Sequence, residues 1–275
     1  MRQLIKSQCN VLMHQKGVII CMLIHFTAVC VNFLYNVIRF WNVEQADMYS
    51  FLEISTLSAS NPIGWYLVEF FAFLIVLPGG FSFMKDRNTR EDILWIGRCG
   101  RKRYIISRII AVGMITFFCF FLPLMMELVL NLIAFPYFAH GNLMGYPLYE
   151  EEYQVIQQYF LFSLYYNHPA CYAIIMSIGI SLMAALLSMI PLMFSFYIKE
   201  YYANLMVPLY LLLNIIDKTN FRIFGMRFQH DYAAYIQWCR SGVNLESMVL
   251  FGGMIIAFAG ISCVVMLHHA GKDVL

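Results

Sequence analysis

The sequence predicts an all-α integral membrane protein, and three observations carry that prediction. Charge is concentrated. Seven basic residues (Lys85, Arg87, Arg90, Arg98, Arg101, Lys102 and Arg103) crowd one stretch, while no charged residue occurs from Ala170 to Ile198. Composition agrees: 61% of residues are hydrophobic and 12% are charged, against about 45–50% and about 25% in soluble domains. Several apolar runs also reach the roughly twenty residues that a helix needs to cross a bilayer. A globular surface scatters charge over every exposed segment, whereas a spanning chain keeps it at the membrane faces.

The first run, Gly17–Ile38, follows Arg2, Lys6 and Lys16. Such a basic opening looks like that of a signal peptide. The run is longer than an h-region and lacks a small-x-small cleavage site, so it reads as an uncleaved first span. Further spans are expected at about Gly64–Phe83, Tyr104–Phe135, Ala170–Ile198, Tyr202–Ile216 and Ser247–Leu267, in a single transmembrane domain over residues 1–275. In the third, Pro123 is placed to kink or end a run that is over-long. The fifth is short and either extends into Asp217–Asn220 or stops before the far interface. Membrane strands would be about ten residues long and would alternate apolar with polar, which these runs do not do.

Orientation follows from the basic residues. With both termini cytoplasmic, the inner side holds 13 of the 18 Lys and Arg, including Arg108, Lys199 and Lys272, and the outer side holds five: Arg39, Lys218, Arg222, Arg227 and Arg240. The external connections are then Phe40–Pro62, Pro136–Pro169 and Asp217–Glu246. The second carries Glu150, Glu151 and Glu152 with no basic residue, is rich in tyrosine, and could form a surface helix over about Glu150–Tyr165. The eight cysteines are widely spaced, against a disulfide framework or a zinc site. No phosphate-binding loop of the G-x-x-x-x-G-K-[ST] type occurs, so no nucleotide site is expected on this chain.

One cytoplasmic segment has the signature of a short helix. Asn88 stands three residues before Glu91, a capping-box spacing. Glu91 and Asp92 suit the positive end of the helix dipole. Ile93, Leu94, Trp95 and Ile96 form its apolar section, and Gly97 is a suitable terminator. It reads either as an interfacial loop obeying the positive-inside rule or as a helix that docks into a partner's groove.

Six spans, cytoplasmic termini, a basic lead-in and this capped helix together resemble the permease subunit of type-two ABC exporters. The local likeness covers about Phe81–Arg108: a span ends in Phe81-Ser82-Phe83, the aliphatic helix follows, and Arg101-Lys102-Arg103-Tyr104 leads into Ile105-Ile106-Ser107-Arg108. The resemblance implies that the helix is a coupling helix touching a cytoplasmic ABC ATPase subunit. Asn88, Arg90, Glu91, Asp92, Leu94, Trp95 and Gly97 would be the docking residues. It also implies a second permease chain, the same or different, and places ATP and Mg on the partner ATPase with no cofactor on this chain. The 136–169 connection is longer than the family pattern, whereas the 217–246 segment fits the re-entrant helices such permeases place before the last span.

Ionisable groups within spans are costly and therefore mark candidate sites. Glu69 lies early in span two, and Glu127 with Asn131, four residues apart on one helix face, lies late in span three. They read either as part of a transport path for a polar or cationic substrate or as groups hydrogen-bonded between spans. For His25, Asn32 and Asn36, interhelical hydrogen bonding is the expected role. Ser177, Ser181, Ala185 and Ser188, and likewise Gly253, Ala257 and Gly260, mark faces for close helix packing. Pro78-Gly79-Gly80 is a hinge candidate.

The favoured expectation is therefore a multi-pass cell-membrane permease that exports a hydrophobic or amphipathic substrate (peptide, lipid or drug) by alternating access. Membrane lipid is expected as a partner and nucleic acid is not. The competing classes are a membrane-embedded enzyme and an accessory or sensory subunit of a membrane complex. No H-E-x-x-H or G-x-S-x-G motif supports the enzyme, and no catalytic or metal-ligating residue is assigned.

Overall fold

The computed structural model describes residues 1–44, 48–58, 61–138, 159–198, 202–218, 222–223, 226–227, 232–238, 243 and 245–271. These residues are mostly helical; among them the only strand pairing beyond isolated bridges joins Arg222–Ile223 to Met226–Arg227. Glu150–Glu152, Lys199, Arg240, Lys272 and most of the expected 150–165 surface helix lie outside the described residues. Among the described residues, four helical stretches are long and apolar enough to cross a membrane: Lys16–Arg39, Arg101–Ala134, Pro169–Phe194 and Leu245–His268.

An amphipathic helix, α1 (Arg2–Met13), precedes α2 (Lys16–Arg39). It buries Gln8 and Leu12 against α7 (Arg101–Ala134), which is the central strut of the fold. α7 runs unbroken for 34 residues through Pro123, about 51 Å at ~1.5 Å per residue. The expected kink or stop at Pro123 does not occur as a break, because Pro in an apolar helix is tolerated where neighbouring elements cover the freed carbonyl. α2 packs on one side of α7 and α9 (Pro169–Leu187) on another. α9 follows a single turn of helix, α8 (Phe162–Asn167), and continues past Ser188 into α10 (Met189–Phe194). Ser177, Ser181, Ala185 and Ser188 are all buried, as close packing of span four requires.

The run Gly64–Phe83 does not form one helix. It divides into α3 (Pro62–Glu69) and α4 (Phe71–Val76), then turns over residues 77–81 before α5 (Ser82–Asn88). Pro78 cannot donate to a helical ladder. Gly79 packs so closely that a Cβ there would lie 2.5 Å from Val112 Cγ1. The Pro78-Gly79-Gly80 run is thus a buried turn wedged against α7. The fifth run is likewise short: a 3-10 turn at Tyr202–Leu205 and α11 (Val207–Lys218). α12 (Ala233–Ile236) and the long α13 (Leu245–Gly271) complete the chain. Gly253, Ala257 and Gly260 are exposed, and a Cβ at either glycine would meet nothing within 4 Å, so this face of α13 packs on nothing among the described residues.

Two connections read from the sequence as external loops contain buried segments. From 50 to 58 every residue except Glu53 is buried, with Phe51 and Thr56 fully enclosed. The second segment, 232–238, is buried throughout and meets the first where Trp238 N–H donates to the Leu57 carbonyl at 3.0 Å. Tyr232 Oη donates to the Val68 carbonyl at 3.1 Å, tying the second segment to α3. Non-helical backbone survives inside an apolar bundle only when its polar groups find protein partners, and asparagines supply them here.

Candidate functional site

The basic segment forms a short helix, α6 (Glu91–Cys99), as its composition predicts, but both ends differ from the expected signals. Asn88 ends α5 and does not cap α6; the N-cap is Arg90, in the left-handed region at φ 58°, and no side chain caps the helix. Nor does Gly97 terminate it: the helix runs two residues further to Cys99, and Gly100 at φ 80° is the C-cap. Chain reversal at this C-terminus requires positive φ, which glycine adopts at no steric cost. Two residues with positive φ thus frame α6 and separate it from α5 and α7 as a helix of its own. Glu91 and Asp92 in the first turn and Arg98 in the last complement the helix dipole.

The docking residues divide between two faces. Leu94 and its neighbour Ile93 are each 63% exposed, and Asn88, Arg90 and Gly97 are exposed with them. Trp95 is half-buried and packs with Ile96 against the core. Asp92 and Ile96 line a cavity of about 80 Å³ beneath the helix, together with Arg87, Arg101, Tyr104 and Phe196. Glu91 is partly buried. The outward surface of α6 is therefore aliphatic and rimmed by basic residues, and the inward surface is aromatic and acidic.

Beneath α6 lies a buried ion pair that the sequence reading missed. Arg108, on α7, is fully enclosed; its Nη2 donates to both carboxylate oxygens of Asp86 on α5 at 2.6 Å, and its Nη1 donates to Gln8 Oε1 on α1 at 2.5 Å. Tyr104 Oη donates to Asp86 Oδ2 at 2.5 Å. Burial pushes the Asp86 carboxyl above its ordinary value, and Arg108 and Tyr104 pull it back. Arg87 Nη2 donates to the Phe196 carbonyl at 2.8 Å, extending the same knot to the turn after α10. Three helices and that turn are thus held together within a few residues of α6. Arg108 stood in the sequence as one inner basic residue among thirteen; only its place on the α1-facing side of α7, beside Tyr104, could have marked it.

At the other end of the bundle, the span residues fall apart as a group. Glu69 is exposed at the end of α3 and does not join the others. Glu127 and Asn131 are buried side by side on α7. Glu127 Oε1 accepts from Asn32 Nδ2 on α2 at 2.9 Å, from the Thr56 amide at 2.5 Å and from the Thr56 hydroxyl. Asn131 Nδ2 lies 3.4 Å from the Phe51 carbonyl and from Ser55 Oγ. Asn32, Asn36 and Asn61 all donate to the Ile54 carbonyl, at 2.8, 3.2 and 3.0 Å. The expectation of interhelical bonding thus holds for Asn32. His25 instead bonds its own helix, at the Cys21 carbonyl, and meets Phe120 edge-on. Next to this cluster a pocket of about 490 Å³ is lined by Asn36, Arg39, Glu53, Ile54, Ser58 and Asn61, with tyrosines around it.

No protein-family model matches this chain, and neither a search of curated proteins nor one of solved structures found a match.

Proposed function

We propose that this chain is the membrane-spanning permease subunit of an ATP-driven ABC exporter. The observation that carries the reading is α6: a short helix at the basic end, set off from α5 and α7 by residues of positive φ on both sides, with adjacent Ile93 and Leu94 exposed and Trp95 anchored behind them. An exposed aliphatic pair on a rigidly backed helix suits insertion into a partner's groove. In this reading the cytoplasmic ATPase subunits hold ATP and Mg, and their closure pushes α6. The Asp86–Arg108–Gln8 knot passes that movement to α7 and α1, because a buried, hydrogen-bonded pair resists separation.

Six membrane passages belong to the same proposal. The broken helices α3 and α4 with the turn after them would make the second and the short α11 the fifth, alongside the four long apolar stretches, with both termini at the cytoplasmic face of the cell membrane. The buried segments 50–58 and 232–238 would enter from the outer side. A second permease chain completes the transport path, and the substrate is hydrophobic or amphipathic. Alternating access then amounts to a shift between two arrangements, driven by the differential binding of nucleotide to the partner.

Affinity purification in mild detergent tests this. An ABC ATPase should copurify with the wild-type chain and be lost from Leu94→Asp, whose side chain is exposed and whose replacement leaves the fold intact. Copurification that survives Leu94→Asp and Ile93→Asp together, or a chain that brings down no ATPase, would refute the reading. Trp95→Asp is the weaker test because Trp95 also packs on the core.

A further inference from the structure

Glu127 has an imbalance that its neighbours do not correct. One carboxyl oxygen accepts three hydrogen bonds, from Asn32 and twice from Thr56, while Oε2 is buried with no partner. Four residues on, along the same face of α7, the Oδ1 of Asn131 is also buried without a donor. Both orphans are acceptors. Two adjacent unfilled acceptors in a dry interior mark a missing donor rather than a missing acceptor.

Charge makes the same point independently. Glu127 is fully enclosed and forms no ion pair with any described residue. Ionisable groups on the elements around it include Lys16, Cys21, His25, Cys30, Tyr35 and Arg39 on α2, Glu53 in the 50–58 segment, Glu69 on α3, Cys171 and Tyr172 on α9, Tyr232 and Tyr235 in the 232–238 segment, and Glu246, Cys263 and His268 on α13. None of them bonds to it; its side-chain partners are neutral amides and a hydroxyl. A lone ionised carboxylate in such a place is not sustained: it is neutralised by a bound cation or by a proton.

We propose that Glu127 is a proton-binding site, its carboxyl holding a proton on Oε2 and donating it to Asn131 Oδ1. One proton then satisfies both orphan atoms and removes the buried charge. No group of three or more His, Cys, Asp or Glu side chains able to hold a metal ion occurs among the described residues. The proton also has a mechanical consequence. Glu127 Oε1 holds Thr56 by amide and hydroxyl, and Asn131 reaches Phe51 and Ser55, so the neutral carboxyl pins the buried segment 50–58 to α7. The neighbouring pocket is lined by Asn36, Asn61 and Ile54, the outer wall of this cluster, and its volume has room for water. Withdrawal of the segment from α2 would open Glu127 to that water and let the proton exchange.

Infrared difference spectroscopy of the full chain in detergent at neutral pH tests this directly. The wild type minus Glu127→Gln spectrum should contain the carbonyl stretch of a protonated carboxyl, sensitive to deuterium, and Asn131→Leu should shift that band by removing its acceptor. Absence of the band from the difference spectrum would overturn the proposal. So would a band that appears only when sodium is withdrawn, since the site would then hold a metal cation in place of the proton. A band unmoved in Asn131→Leu would overturn the assignment of Asn131 as acceptor. If Glu127→Gln does not fold, wild-type protein labelled with 13C-glutamate supplies the same reading and excludes Asp86: an isotope-shifted protonated-carboxyl band supports the site, and no such band refutes it.

Discussion

Arg108 and Asp86 form the pair whose loss the fold tolerates least. Each is almost wholly enclosed, and their partners Gln8 and Tyr104 come from α1 and α7. Removing one member strands the other. Arg108→Ala leaves the Asp86 carboxyl buried against Tyr104 with no cation, which is expected to lower stability by about 3–5 kcal/mol. The double replacement Asp86→Leu with Arg108→Met removes both charges at similar volume and is expected to regain most of that loss. Thermal unfolding of the wild type, Asp86→Leu, Arg108→Met and the double variant in one detergent checks this; a double variant as weak as the sum of the two singles would show that the pair is not coupled. Nothing local in the sequence points to this pairing. Arg108 lies 22 residues beyond Asp86, and only the path of the chain through α5 and α6 brings the two together. Glu127, by contrast, was legible as a special residue, because a carboxylate in a long apolar run has few reasons to be there.

Long apolar runs were legible because hydropathy is a local property: the expected bounds of spans one, three, four and six fall within a few residues of α2, α7, α9–α10 and α13. The short helix α6 was legible for the same reason, although its ends were not, since left-handed caps at Arg90 and Gly100 replace the side-chain cap that the Asn88–Glu91 spacing suggested. Segment 50–58 was not legible at all. Its burial depends on Asn32, Asn36 and Asn61, which reach its carbonyls from elements on either side, and on a glycine in α3. A Cβ on Gly64 would lie 1.6 Å from the Thr56 carbonyl oxygen and 2.8 Å from its carbon. Those are backbone atoms of the residue that binds Glu127, and they cannot yield by changing rotamer. Gly64→Ala is therefore expected to destabilise by about 1–3 kcal/mol, the usual cost of overpacking, and to loosen the 50–58 segment. Proteolysis or hydrogen exchange localised to that segment measures the effect. Gly252→Ala, on a face of α13 where a Cβ meets nothing within 4 Å, should leave both unchanged.

The molecule has two unlike ends, and α7 sets the distance between them. Its first turns carry Arg101, Lys102, Arg103 and Arg108 beside α1, α5 and α6, where ten of the chain's 18 basic residues gather between Arg2 and Arg108 on the described elements of that end, leaving Lys16 at the head of α2. Its last turns meet the end of α2 and the buried segment, where Phe51 N–H donates to the Pro136 carbonyl at 3.1 Å. At about 51 Å, α7 is longer than the ~30 Å hydrocarbon layer, so residues beyond its two ends must face opposite aqueous compartments if the long helices cross the bilayer. Trp41, just past α2 and 70% exposed, belongs to one end; Ile93, on α6 and 63% exposed, belongs to the other. In the proposed orientation, which rests on the basic excess, Ile93 faces the cytoplasm. In a background with the eight cysteines replaced, a membrane-impermeant maleimide added to intact cells should label Trp41→Cys and spare Ile93→Cys, and inverted membrane vesicles should reverse the pattern. Labelling of both from one side would mean that α7 lies along the membrane or outside it, and the exporter reading would fall with it. The reversed pattern in intact cells would keep the span and remove α6 from the face where an ATPase could reach it.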